Sequence, residues 1–256
     1  MPAIFSIAGD DGTTNKFVVA SGAWATNRSA GTAQSVNSTS DQGQIQVQNV
    51  SARGAEVAQI GRAFFSFDTS GISVVPSAAT LKIFGRASNT ADVIAVRSTQ
   101  GTGLAADDMD ALHGASTALA ASDGNGAGTL AGVSGLTYSA EIASWSTTGY
   151  NDITLNATAL ADMASLDTFQ VALIEYDMDY LDVAPVGSAL RRISFFMAED
   201  GGSGTSRDPK IDFLAGASGY GNLVSGIASA NIGKINGVAN IPQSATANVG
   251  KVIGVD

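Results

Sequence analysis

With 256 residues, 45% of them hydrophobic and only 14% charged, the chain has the composition of a folded protein with a sizeable core. Its net charge of -10 and its scattered cations (only Arg191 and Arg192 are adjacent) argue against nucleic acid as a partner, because neutralising phosphates needs clustered Lys and Arg. There is no cysteine, hence no disulfide or thiolate metal site, and no apolar stretch approaches the ~18 residues of a membrane span, so no membrane partner is expected.

Met1 to Phe5 lacks the basic start and long apolar run of a signal peptide, so synthesis in a cytoplasm is the expectation. Residues 3–8 read as a short strand closed by the turn Gly9-Asp10-Asp11-Gly12, and Lys16 to Ala20 as a second strand. Residues 26–43, rich in Ser, Thr, Asn, Gln and Gly, read as a loop or exposed edge. Gln44-Ile45-Gln46-Val47-Gln48 alternates with the period of a half-buried strand. The stretch from Gly61 to Gly85 organises the rest. Aromatic-rich residues 62–68 and alternating residues 79–84 predict two strands, with Thr69-Ser70-Gly71 and Val75-Pro76-Ser77 supplying the turn between them. Alternation at Leu81 and Ile83 predicts one buried and one wet face, as in an antiparallel sandwich. Phe65, Phe67, Leu81, Ile83, Val171 and Leu173 are core candidates; Phe64 and Phe65 cannot both point inward on a regular strand.

Asp92 to Arg97 reads as another strand. Leu104 to Leu112 has helical character with Leu104, Met109 and Leu112 on one side, and the small residues 115–135 read as a surface excursion. Strands are predicted again at 149–155, 169–176, 190–196 and 209–214, with Asn156 capping a short helix through Met163. Many short strands, Gly-rich turns and short helical insertions predict an all-β jelly-roll β-sandwich body over residues 1–215.

The order of these pieces resembles DNRLRE-type domains, jelly-roll modules similar to carbohydrate-binding modules. The resemblance rests on RAFFSFDTSGI (62–72), Pro76, ATLKIF (79–84), DITLNATAL (152–160), FQVALIEY (169–176) and FFMAEDGGSGTSRDPKIDF (195–213), and covers roughly Gly61 to Leu214. It implies binding or structural work without catalysis.

From Gly216 the composition shifts. ASANIGKINGVA (228–239) repeats as ATANVGKVIGVD (245–256), with Ser/Thr and Ile/Val exchanges among otherwise repeated positions. The segment has too much glycine for a stable helix and too little length for its own core. Ile227, Ile232, Ile235, Val238, Val249 and Val252 are spaced too regularly for a plain flexible linker, so residues 216–256 are expected to form an extended assembly arm lying against a neighbouring subunit. These repeats look like the tail segments of structural proteins of tailed bacteriophages.

Catalytic patterns are few. His113 is the only histidine; at the end of the predicted helix 104–112 it suits the helix dipole. No Ser-His-Asp pattern or Walker loop is present. Glu175, Asp177 and Asp179 alternate at a predicted strand end, which would put three hard oxygen donors on one face, with Asp182 close behind and Asp107, Asp108 and Asp110 as a second cluster. Such clusters can hold a structural calcium ion; the competing reading is a solvated acidic edge that discourages aggregation. Trp24, Trp145 and Tyr150 can stack on a sugar, or anchor core and loops. The expectation from sequence is therefore a non-enzymatic virion structural protein, a capsid decoration (cement) protein or a tail-fibre component. It would be made in the host cytoplasm, form a homo-oligomer and partner other virion proteins. The alternative is a carbohydrate-binding adhesin module with a surface glycan as partner.

Overall fold

The computed structural model describes residues 2–19, 24–28, 30–52, 55–112, 137–198 and 206–216, and the short strands 234–235 and 238–239. Strands β1 (Ala3–Phe5), β2 (Gly12–Val19), β3 (Ser35–Asn37), β4 (Gln42–Ala52), β5 (Ala55–Asp68), β6 (Ala78–Asn89), β7 (Val93–Arg97), β8 (Tyr150–Thr154), β9 (Thr168–Glu175), β10 (Ala189–Phe196) and β11 (Lys210–Leu214) form one antiparallel network. Its order is β1-β11-β6-β10-β4-β5-β2-β3, with β8 on β6 and β9 joining β5 to β7. An all-β sandwich with few helices is what the pattern of short strands predicted. Among the described residues, helices are confined to α1 (Trp24–Arg28), a 3-10 helix (Ala106–Asp110), α2 (Ala157–Ser165) and a π-helical turn (Tyr176–Tyr180). Asn156 caps α2 as expected, its side chain accepting from the Ala159 N–H at 3.0 Å.

Residues 26–43, expected to be a loop or an exposed edge, hold the end of α1 and the three-residue edge strand β3, which pairs with Thr13 to Asn15. The strands of the organising stretch, β5 and β6, do not pair with each other. β5 takes β2 along one edge and β4 and β9 along the other, whereas β6 takes β8, β10 and β11. The nine residues between them carry the chain across the sandwich, and side chains of both strands meet in its core.

That core is where the six candidates lie. Phe65, Phe67, Leu81, Ile83, Val171 and Leu173 are all buried, joined by Phe169, Ile193, Phe195 and Tyr138. Phe65 and Phe195 pack with ring centres 5.9 Å apart, and Tyr138 stacks on Phe169 at 5.0 Å. Burying each such side chain contributes ~1.5–3 kcal/mol. β6 moves from one sheet to the other midway: residues up to Phe84 pair with β8 and β11, and residues from Gly85 pair with β10 across a register irregularity at Ser194–Phe195. Glycine is required at the crossing, since a Cβ on Gly85 would fall 1.8 Å from the Ser146 carbonyl oxygen.

β5 is buried on its second face as well. Phe64 points away from Phe65, as a regular strand demands, yet it too is fully enclosed, by Ile94, Val96, Leu104, Leu112, Ala172 and Ile174. Leu104, Met109 and Leu112 are all buried but do not share one cluster; Met109 packs with Ala33 and Ile60 instead. Only Met109 lies in the 3-10 helix Ala106–Asp110; Leu104 and Leu112 flank it, so no continuous apolar helical stripe forms.

Candidate functional site

The predicted acidic cluster is the first place to test for chemistry. β9 ends at Glu175, and the chain then winds into the π-helical turn rather than continuing as a strand, so the expected common face for Glu175, Asp177 and Asp179 does not exist. The turn sends the three carboxylates to different partners. Asp179 is buried in a two-pronged pair with Arg62: Nε donates to Oδ2 and Nη2 to Oδ1, both at 2.7 Å. Arg62 completes its fork by donating to the carbonyls of Met109 (2.8 Å) and Arg28 (2.9 Å). Arg28, also buried, donates from Nε to the Asp179 carbonyl at 2.7 Å and lies 3.5 Å from Asp182 Oδ1, which accepts from Trp24 Nε1 at 2.9 Å. The pair thus ties α1, β5, the 3-10 helix and the π-helical turn together.

Glu175 works as a cap. Its Oε2 accepts from the Met178 N–H at 2.6 Å and the Asp179 N–H at 3.4 Å, while Oε1 lies 3.7 Å from Arg191 Nη1. Burial pushes its carboxyl up to about 7, the nearby Asp177 charge adding to the effect and the two N–H bonds and Arg191 opposing it. Asp177 pairs with Arg191, which also donates to the Thr90 carbonyl at 2.9 Å. In the second cluster, Asp108 accepts from the Gly101 and Ala105 N–H groups and so closes its own loop. Asp179 and Asp177 are thus each paired with an arginine, and among the described residues no three acidic or His side chains are grouped as metal ligands. His113 lies outside the described residues.

The aromatic candidates are separated. Trp24 is half-buried on the Ala33–Ile60–Met109 cluster, held by Asp182. Trp145 packs edge-on to Phe195, with ring centres 6.4 Å apart. Tyr150 sits on β8, tied to the Trp145 loop through Asn151, which donates to the Ser146 and Ile83 carbonyls and accepts from the Ser146 N–H. Tyr150 points to the outer face of the sheet β1-β11-β6-β8. There it meets Phe84, its cross-strand partner, edge to face at 5.3 Å, and Phe84 in turn meets Phe196 at 5.8 Å. Lys210 Nζ lies 4.9 Å from the centre of the Tyr150 ring, and the Arg207 guanidinium lies 4.0 Å from that of Phe196. Lys82, paired with Asp152 at 2.7 Å, borders the same patch. The Tyr150 hydroxyl donates to the Asp208 carbonyl at 3.1 Å, and burial raises it above its ordinary value, with Asp208 and Asp212 adding to the effect. Phe84, Tyr150 and Phe196 thus form a ledge of half-exposed rings bordered by charged side chains. Phe84 and Phe196 were missed from sequence. The available signal was alternation, since Phe84 is two residues from Lys82 and shares its wet face.

Of the arm positions, Ile235 and Val238 fall on described strands, β12 (Lys234–Ile235) and β13 (Val238–Ala239), which pair antiparallel as Ile235 with Val238 and form a sheet separate from the body's. The arm is therefore not extended throughout. Asn236-Gly237, the dipeptide that two-residue hairpin loops prefer, lies between the two strands. Ile227, Ile232, Val249 and Val252 lie outside the described residues. No protein-family model matches the chain, and no curated protein is similar to it.

Proposed function

We propose that the chain is a non-enzymatic structural protein of a tailed-bacteriophage virion, a jelly-roll body that docks to its neighbours through the arm 216–256. The observation that carries this reading is the break at Leu214. Among the described residues the body's sheet network ends there, and the chain beyond it repeats a twelve-residue Gly-, Ile- and Val-containing unit, the first copy of which holds two short paired strands in a sheet of their own. Support also comes from the charged residues of the interior. Arg28, Arg62, Glu175 and Asp179 bond one another and backbone groups, which is what load transmission between elements needs. A segment that orders on docking gives its ordering entropy back only in the assembly. Removing residues 217–256 is expected to abolish incorporation into particles; incorporation at wild-type stoichiometry would end this reading.

A second reading is supported by the ledge Phe84–Tyr150–Phe196, a surface suited to a glycan. On that reading Tyr150→Ala loses binding on a glycan array while Trp24→Phe keeps it. Equal binding by both variants, or none by the wild type, argues against an adhesin.

A further inference from the structure

We propose that the Asp208–Pro209 peptide bond is a self-cleavage site, at which the Asp208 carboxyl group attacks its own carbonyl carbon while the Tyr150 hydroxyl holds the carbonyl oxygen. This activity goes beyond the docking reading and does not depend on it. It concerns the covalent link between the body and β11, not what the arm binds.

The sequence supplies the bond. Of the chain's five prolines, only Pro209 follows an aspartate. An aspartyl peptide ordinarily rearranges when the next residue's nitrogen closes onto the side-chain carboxyl, but proline has no N–H and that route is shut. The carboxyl oxygen remains as the nucleophile. It belongs to the same residue as the carbonyl it attacks, so the step is intramolecular and loses little entropy.

The fold supplies the setting. Asp208 is 1% exposed, so its carboxyl group is withdrawn from water. Tyr150 Oη donates to the Asp208 carbonyl at 3.1 Å, on the oxygen where negative charge develops during attack. Burial and, after it, the charges of Asp208 and Asp212 raise the Tyr150 hydroxyl, which places the Asp208 carboxylate near the same donor. Both sides of the bond are fixed. Ser6 N–H donates to the Pro209 carbonyl at 3.0 Å and β11 starts at Lys210, while the Tyr150 ring packs on Phe84. A tyrosine bonded to a loop carbonyl is commonplace. Here that carbonyl belongs to the chain's one Asp–Pro bond, beside a buried carboxyl group.

The reaction balances without an oxidant, reductant or added group. A carboxyl oxygen of Asp208 bonds to the carbonyl carbon and closes a cyclic anhydride. The C–N bond to Pro209 breaks, and the carboxyl proton passes to the proline nitrogen, which leaves as a secondary amine. Water then opens the anhydride to two carboxylic acid groups. Because the attacking group must bring a proton, the rate rises as pH falls. The products are residues 1–208 and 209–256. β11 is paired with both β1 and β6, so after the cut the arm is held on the body by strand pairing alone.

The full chain is incubated at mildly acidic pH, with folding followed by circular dichroism, and intact mass is read over time. The expected result is two fragments that meet at Asp208–Pro209 and together exceed the parent by one water. Tyr150→Phe, which keeps the ring contacts, should slow the cut about tenfold or more, because it removes the donor to the carbonyl oxygen. Asp208→Asn should stay whole over the same time. The wild-type chain unfolded in urea at the same pH should also cleave at least ~10-fold more slowly, since the donor is then lost. No fragments, a cut at another bond, equal rates in the folded and unfolded chain, or a Tyr150→Phe rate equal to the wild type would each overturn the proposal.

Discussion

β5 and β6 are long strands of 14 and 12 residues, adjacent in sequence, and they solve burial in opposite ways. β6 alternates as an edge of water and core should: Ala79, Leu81 and Ile83 are buried, while Thr80, Lys82 and Phe84 face outward and are half-exposed. β5 has no wet side from Ala58 to Phe67. Its first face (Ala63, Phe65, Phe67) enters the central core, and its second (Ile60, Arg62, Phe64, Ser66) is roofed by the 3-10 helix, α1 and the π-helical turn. The polar members of that second face are not solvated but bonded inside, Arg62 to Asp179 and Ser66 to Gln100. A polar residue every second position therefore marks a wet face only when nothing folds over it.

The contrast can be broken most severely at Arg62. Arg62→Met leaves Asp179 as a buried charge without its fork, and removing one partner of such a pair costs ~3–5 kcal/mol. Combining it with Asp179→Leu should recover part of the loss in urea unfolding, because both charges are then gone. A single variant as stable as the wild type would mean that β5's second face is wet after all.

Large effects are also expected on both faces of β5 but only one of β6. Phe64→Ala and Phe65→Ala should each cost ~3–5 kcal/mol, and Leu173→Ala ~2–5 kcal/mol. Lys82→Ala, on the wet side of β6, should stay within about 1 kcal/mol despite its ion pair with Asp152. A Phe64→Ala loss below ~0.5 kcal/mol would contradict the doubly buried strand.

A smaller effect, dependent on pH, belongs to Glu175. Its carboxyl sits near 7 in the folded chain against an ordinary 4.5, so the folded state holds the proton more tightly than the unfolded one. Its contribution is fully present below about pH 4.5 and is lost as pH rises through about 7, an effect of about 3 kcal/mol. Glu175→Gln should flatten the stability profile between pH 5 and 8 and be the more stable form at pH 8. An unchanged slope in the variant would move the titration to another group. The smallest effect expected is that of chelator, because Arg62 and Arg191 already hold Asp179 and Asp177. The melting curve should not shift, and a Tm that falls on chelation would restore calcium to this cluster.

Most of the sandwich was legible because its strands carry local signals: the alternation of residues 79–84, the apolar run 169–174 and the Asn156 cap each depend on near neighbours in sequence. What was not legible depends on partners far away. Arg62 and Asp179 are 117 residues apart, so Asp179 read as a calcium candidate or a solvated edge carboxylate, and nothing near Arg62 in sequence announced its partner. The departure of the chain from strand geometry after Glu175 is likewise set by that pairing and by the Glu175 cap, and reading Glu175, Asp177 and Asp179 as one strand face followed from missing it. The aromatic ledge was half-legible: Tyr150 was singled out, but its grouping with Phe84 and Phe196 needed the β6–β8 register and the return of β10.

Beneath both halves of the comparison lies the claim that the two-sided packing around β5 completes the body before the arm begins. Calorimetry of residues 1–216 beside the full chain tests this most directly. A body that is complete melts within ~2 °C of the full chain, no more than the ~2–4 °C that 1 kcal/mol produces in a domain of this size. A truncated chain that melts ~8 °C or more lower, or does not fold, would show that the arm is part of the core and contradict the account.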